Sequence, residues 1–307
     1  MEPQPRLSLR AIARLLAFGA LFVVIGAIIA VPAAQIGGDA LLSSPWFDVI
    51  LTSIMATVAG AIVLRFVDRR PVAALGIGVS RATPRHVALG IAIGAGALFI
   101  AAAAMFATAA LQYVPDDGTL ADWARTVVED FAFFTVAAYA EEVVFRGYLF
   151  QVLVQWIGAP IALLVTSIGF AFAHHDNPDV GAFALLNIAL AGVLLGIAYL
   201  KTLSLWFATA LHMAWNWTMA TLLDLPVSGL SMFDTPLYEP AIDGARWWSG
   251  GSFGPEGGVV GTLGFGVALI VLWRWRAVQP DARIAAAAPL VIAAPYAPVV
   301  TEVENHG

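Results

Sequence analysis

FAFFTVAAYAEEVVFRGYLFQVLV, residues 131–154, is an apolar run with Glu141, Glu142 and Arg146 in its interior. About 20 apolar residues cross a hydrocarbon core of ~30 Å, so the run reads as a transmembrane helix. Ionisable groups at that depth are costly and rare; they face the inside of a bundle and mark function. Two other apolar runs bring polar groups of their own. His174 ends the run at 160–176, and His212 and Asn216 lie within the run at 203–223.

Composition extends this reading to the whole chain. Hydrophobic residues make up 60% and charged residues 12%, whereas soluble domains carry roughly 25% charged residues. Mean hydropathy is +0.85. Apolar runs at about 12–34, 46–66, 86–112, 127–154, 160–176, 181–200, 203–223 and 257–276 predict an all-α fold. It is a polytopic transmembrane helix bundle of about eight spans, residues 1–276 forming a single unit. The first run follows Arg6, Arg10 and Arg14, as a signal peptide would. Its apolar core of about twenty residues exceeds the roughly 7–15 of such a peptide, which favours an uncleaved span. The tail 277–307 is broken by Pro289, Pro295 and Pro298 and is expected to be a disordered cytoplasmic segment.

Basic residues orient the bundle. With eight spans, thirteen of the fifteen fall on the side of the N-terminus, and only Arg125 and Arg246 on the other. Basic residues collect on the cytoplasmic side, so both termini are expected in the cytoplasm. Only Lys201 is lysine, a bias of high-GC bacterial genomes, and the expected location is a bacterial plasma membrane. Cysteine is absent, which excludes disulfides and thiol nucleophiles. The net charge of −6 identifies no partner, and no nucleic-acid partner is expected. The bilayer and a protein or peptide at the membrane are the partners expected. The loop 224–256, rich in Gly, Pro and Asp and carrying Trp247 and Trp248, reads equally as an interfacial cover or an ordinary loop.

Helical spacing arranges the polar groups. Glu142 and Arg146 are four apart and share a face, while Glu141 points about 100° away from Glu142. Arg146 is therefore expected to pair with Glu142, leaving Glu141 to face a cavity. Phe170 and His174 form a second i, i+4 pair, and His212 and Asn216 a third. His175 and Asp176 read as loop residues. At ~1.5 Å per residue, Glu141 lies about 15 Å from an inner end near Gln151, and His212 about 13 Å from Leu203. His174 lies about 21 Å from Pro160 on the same scale, deeper than the others, so its helix is expected to begin before Pro160 or below the surface, which lets the three side chains meet to within about a turn.

Glu141-Glu142-x-x-x-Arg146, Phe170-x-x-x-His174 and His212-x-x-x-Asn216, in this order on successive helices, resemble the CPBP intramembrane proteases. That family includes the type II CAAX prenyl endopeptidases and bacterial bacteriocin-processing and immunity proteins. The resemblance covers about residues 127–220 and implies peptide-bond hydrolysis in a cavity among the helices. It assigns Glu141 as the general base on water, His174 as sharing that water, and His212 and Asn216 as binding the carbonyl oxygen. Glu142, Arg146 and Phe170 would be structural support. The family has been read both as metal-free glutamate peptidases and as metalloproteases. Under the second reading His174, His212 and Glu141 are the candidate ligands of a divalent metal, zinc foremost. No HExxH helix is present. Two other classes compete: a membrane immunity or scaffold protein that works by binding, and a proton-coupled transporter with a Glu and His relay. The transporter predicts paired broken helices or a repeated half, and neither is visible.

Overall fold

A chain in hydrocarbon must satisfy its backbone within its own segments, and this one does so almost wholly as helix. The computed structural model describes residues 5–280, 282–287 and 289–292. Its main helices are α1 (Pro5–Leu42), α2 (Pro45–Phe66), α3 (Thr83–Ala107), α4 (Leu120–Phe145), α5 (Tyr148–Ile157), α6 (Ala159–Phe172), α7 (Ala182–Thr202) and α8 (Leu205–Trp217). A π turn, Thr218–Leu222, prolongs α8, and α9 (Arg246–Ser249), α10 (Val259–Arg274) and α11 (Ala282–Ala286) follow.

Among the described residues, four helices are long and apolar enough to cross a membrane: Leu9–Leu42, Pro45–Phe66, Thr83–Ala107 and Ala182–Thr202. Ala159–Phe172 and Val259–Arg274 are apolar but shorter. At 14 residues, α6 reaches only about 21 Å. The expected run 160–176 is shortened because its last residues, His174 to Asp176, leave the helix as turns.

The single expected span at 127–154 is two helices. It breaks at Arg146 and Gly147, between α4 and α5. Apolar composition continues through the break and hides it. Gly147 makes the turn possible, because a Cβ there would stand 2.1 Å from the Val143 carbonyl oxygen. α4 begins on a capping box in which Thr119 and Asp122 exchange hydrogen bonds.

Among the described residues, two apolar clusters form the core. The larger includes Leu98, Phe134, Phe170, Leu194, Leu211, Trp215, Phe253 and Phe265. The smaller joins α1, α2 and α5 through Phe18, Leu64, Tyr148 and Phe150. α4 passes from one to the other, with Ala138 in the first and Val143 in the second, so Glu141 and Glu142 stand at the seam. α8 packs on α3 and α4. The approach to α3 is close: a Cβ on Gly94 would lie 2.2 Å from the Leu211 carbonyl oxygen. Small residues let membrane helices approach in this way, and the contact fixes the turn of α8 next to His212.

The loop 224–256 folds back onto the bundle. Its strand β2 (Tyr238–Ala241) pairs antiparallel with β1 (Gln112–Pro115), Gln112 opposite Ala241. Phe233 meets the Phe134 ring at 4.5 Å, and Phe253 is fully buried. Trp247 is exposed, whereas Trp248 donates from its indole to Thr108. In the tail, Ala282–Ala286 is helical and Ile284 and Leu290 are buried; the expectation of disorder for 293–307 lies outside the described residues.

Candidate active site

Glu142 is fully buried and receives two hydrogen bonds on one oxygen, Oε1. Arg146 donates from Nη1 at 3.0 Å, and His212 donates from Nδ1 at 3.0 Å. The second guanidinium nitrogen of Arg146 donates to the Gly192 carbonyl at 3.1 Å and so ties α4 to α7. Its face lies 4.6 Å from the centroid of Phe170, a cation–π contact within a buried site. Phe170 also packs against the rings of His174 and His212, with centroids 4.9 and 6.0 Å away. The Glu142 carboxylate and the Phe170 ring thus each touch two or more members of the site.

His174 stands just beyond α6 in the turn that ends it. A backbone carbonyl can only accept, so the 2.8 Å contact of Nδ1 with Phe170 O places a proton on Nδ1. The same reasoning puts a proton on Nδ1 of His212 against the Glu142 carboxylate. In both rings Nε2 is then the free nitrogen. Both point at Glu141 Oε2, at 4.0 Å from His174 and 3.8 Å from His212. That oxygen is buried and has no hydrogen-bond partner. Three polar atoms therefore converge from α4, α8 and the end of α6.

His174, His212 and Asn216 share a small cavity with Phe170, Ser228 and Glu256. Its volume of about 30 Å³ suits a water or two. Asn216 follows His212 by one turn of α8 and opens on the same space. Phe170, His174, His212 and Asn216 thus line this cavity, whereas Glu141, expected to face it, is not among its lining residues and meets them through the Nε2 atoms of the two histidines.

Glu256 and Ser228 join the cavity wall with no signal in the sequence. Glu256 is buried in the cavity wall and accepts from Trp215 Nε1 at 3.0 Å and from the Ser228 hydroxyl. Asn187 donates to the Glu256 carbonyl at 2.8 Å. Glu256 and Ser228 sit in a polar loop and follow no helical spacing, so no periodic signal reports them. Trp215, just before Asn216, is the one local hint, an indole that needs an acceptor when buried.

The donor set fits a divalent cation in kind. Metal-bound imidazoles have the second nitrogen held by a carbonyl or carboxylate, as Phe170 O and Glu142 do here. The three groups are more widely spread than a compact cluster. Among the described residues, the acid and histidine trio with all donor atoms within 4.8 Å is Asp116, Asp234 and Glu239, all exposed.

No curated protein and no solved structure matches the chain significantly. Residues 123–218, about a third of the chain, match the Rce1-like family model, described as type II CAAX prenyl endopeptidase Rce1-like. This is the family that the three motifs resemble, and the matched segment holds every residue from Glu141 to Asn216.

Proposed function

We propose that the protein is an intramembrane endopeptidase that hydrolyses a peptide bond with water activated by Glu141. The convergence of Glu141 Oε2 with the free Nε2 atoms of two histidines carries this reading. Glu141 takes a proton from water while His174 orients it, and the water oxygen bonds to the carbonyl carbon. Asn216 donates to the carbonyl oxygen as charge develops there. His212 joins it from Nε2 when doubly protonated against the Glu142 carboxylate. The C–N bond then breaks, and the proton held by Glu141 passes to the leaving amine. Phe170 and the Glu142–Arg146 pair hold both histidines in place throughout.

A divalent metal is the second reading, favoured by the two oriented imidazoles. His174, His212 and Glu141 would hold it. When bound, it would polarise the carbonyl and acidify a water. The substrate is a peptide segment of a membrane protein or one reaching the membrane. The basic asymmetry supports eight crossings with both ends in the cytoplasm of a bacterial plasma membrane.

A quenched-fluorescence peptide library presented to the full-length protein in proteoliposomes tests the reading. Wild type should cleave members that Glu141→Gln does not. Loss of cleavage on chelation, restored by zinc, would select the metal-assisted version. Cleavage by neither protein, with Glu141→Gln still replacing wild type in cells, would favour a binding scaffold.

A further inference from the structure

His174 stands two residues past the end of α6, in a turn that runs to Val180 before α7 begins at Ala182. Phe170 holds the ring, but the backbone beneath it has left the helix. The turn's own backbone bonds are on the long side, from 3.1 Å at the His174 amide to 3.3 Å at the Val180 amide. Ala173, His175, Asp176, Pro178 and Asp179 are exposed, so little packing fixes the turn from within.

The hold comes from the loop 224–256. Near its start Val227 and Leu230 exchange backbone hydrogen bonds at 3.0 and 2.9 Å around a two-residue hairpin turn. Its central residues, Ser228 and Gly229, have positive φ of 49° and 82°, as such a turn requires. The conformation is natural for glycine and uncommon for serine. The Ser228 carbonyl accepts from Asn177 Nδ2 at 2.8 Å. Gly229 packs on Pro178, where a Cβ would stand 2.1 Å from the carbonyl oxygen. Arg246 donates to the Asp179 carbonyl. Three consecutive residues of the His174 turn are thus gripped by one loop. The hairpin is anchored in its own right, because the Gly229 amide donates to Phe253 O at 3.0 Å and the Ser228 hydroxyl to Glu256.

We propose that Asn177 and the Ser228–Gly229 hairpin form a clasp that sets His174 for the reaction. Asn177 does not line the cavity; it is a positioning residue that acts through His174, and its part in catalysis rests on the peptidase reading. Misplacing a catalytic group by about 1 Å can cost on the order of a hundredfold in rate. A clasp on so thinly packed a turn therefore governs turnover rather than substrate binding.

The test joins a double-mutant cycle to amide hydrogen exchange, both on the full-length protein in proteoliposomes. Asn177→Ala removes the donor, and Asn177→Asp keeps its shape but sets an acceptor against the Ser228 carbonyl. Each should lower kcat by about tenfold or more and leave KM within about twofold. In the His174→Ala background, Asn177→Ala should cost less than about twofold, because a residue that acts through His174 then has nothing to place. Peptides covering 173–181 should exchange faster in Asn177→Ala, while those of α4 and α8 keep their wild-type rates. An equal fall in kcat in both backgrounds would make Asn177 merely structural and overturn the proposal. So would wild-type kcat in both Asn177 variants, or unchanged exchange at 173–181. If wild type cleaves no peptide, the peptidase reading falls and takes the catalytic role of Asn177 with it. The exchange result then still decides whether the clasp holds the His174 turn.

Discussion

His212 donates from Nδ1 to Glu142 Oε1 across 3.0 Å, joining α8 to the helix that carries the proposed base. Because Arg146 uses the same oxygen, Glu142 serves at once as counter-ion and as the group that sets the His212 tautomer. Removing Arg146 strands a fully buried carboxylate. Breaking a buried pair in this way costs about 3–5 kcal/mol. Arg146→Ala should therefore lower the unfolding temperature sharply as well as abolish cleavage, as measured by thermal unfolding in detergent. A variant that keeps the wild-type Tm but has no activity would instead assign Arg146 a direct role in the reaction.

Glu141 is different, being partly exposed with one oxygen unsatisfied. Glu141→Gln, His174→Ala and His212→Ala should each lower turnover by about a hundredfold or more, the usual scale for a lost acid–base group. Glu141→Gln should leave Tm nearly unchanged, since no hydrogen bond to Oε2 is lost. Full turnover in Glu141→Gln would remove the assigned base.

Helical spacing made part of this site readable and left part of it hidden. Glu142 and Arg146 are four apart on one helix, and their pairing follows from that spacing alone. Which face of α8 meets α4 depends on Gly94 and on packing between helices, so the His212–Glu142 bond had no signal in the chain. The break at Gly147 was masked because both sides of it are equally apolar. His174 was expected on a helix, yet it caps one from the turn beyond. Glu256 and Ser228 reach the cavity through a folded loop, and no periodicity predicts where a loop returns.

The Glu256 carboxylate tests how far that loop belongs to the site. Its two donors, Trp215 and Ser228, give hydrogen bonds to a charged group, each worth about 1.5–3 kcal/mol. Glu256→Gln should lower Tm and turnover together, and Ser228→Ala should do so less. Unchanged kinetics with lowered stability in both variants would confine Glu256 to holding the loop.

Asp224 gives the loop a pH dependence. Burial pushes its carboxyl up to about 7, helped by Glu239 and Asp234 and opposed by the hydrogen bond from the Thr235 amide. The folded state therefore binds a proton more tightly than the unfolded one. This contribution is fully present below the ordinary aspartate range and is lost as pH rises toward 7. Tm from this source should fall between about pH 4 and pH 7 and level off above. Asp224→Asn should flatten that slope while keeping an acceptor for Thr235. An identical slope in the variant would place its origin elsewhere.

The most direct measurement compares the N-termini of membrane proteins in cells making wild-type protein with those in cells making Glu141→Gln. New internal N-termini should appear with wild type only, and their sequences would identify the substrate. The same set of termini in both cells, with both proteins equally abundant in the membrane, would contradict a Glu141-dependent peptidase.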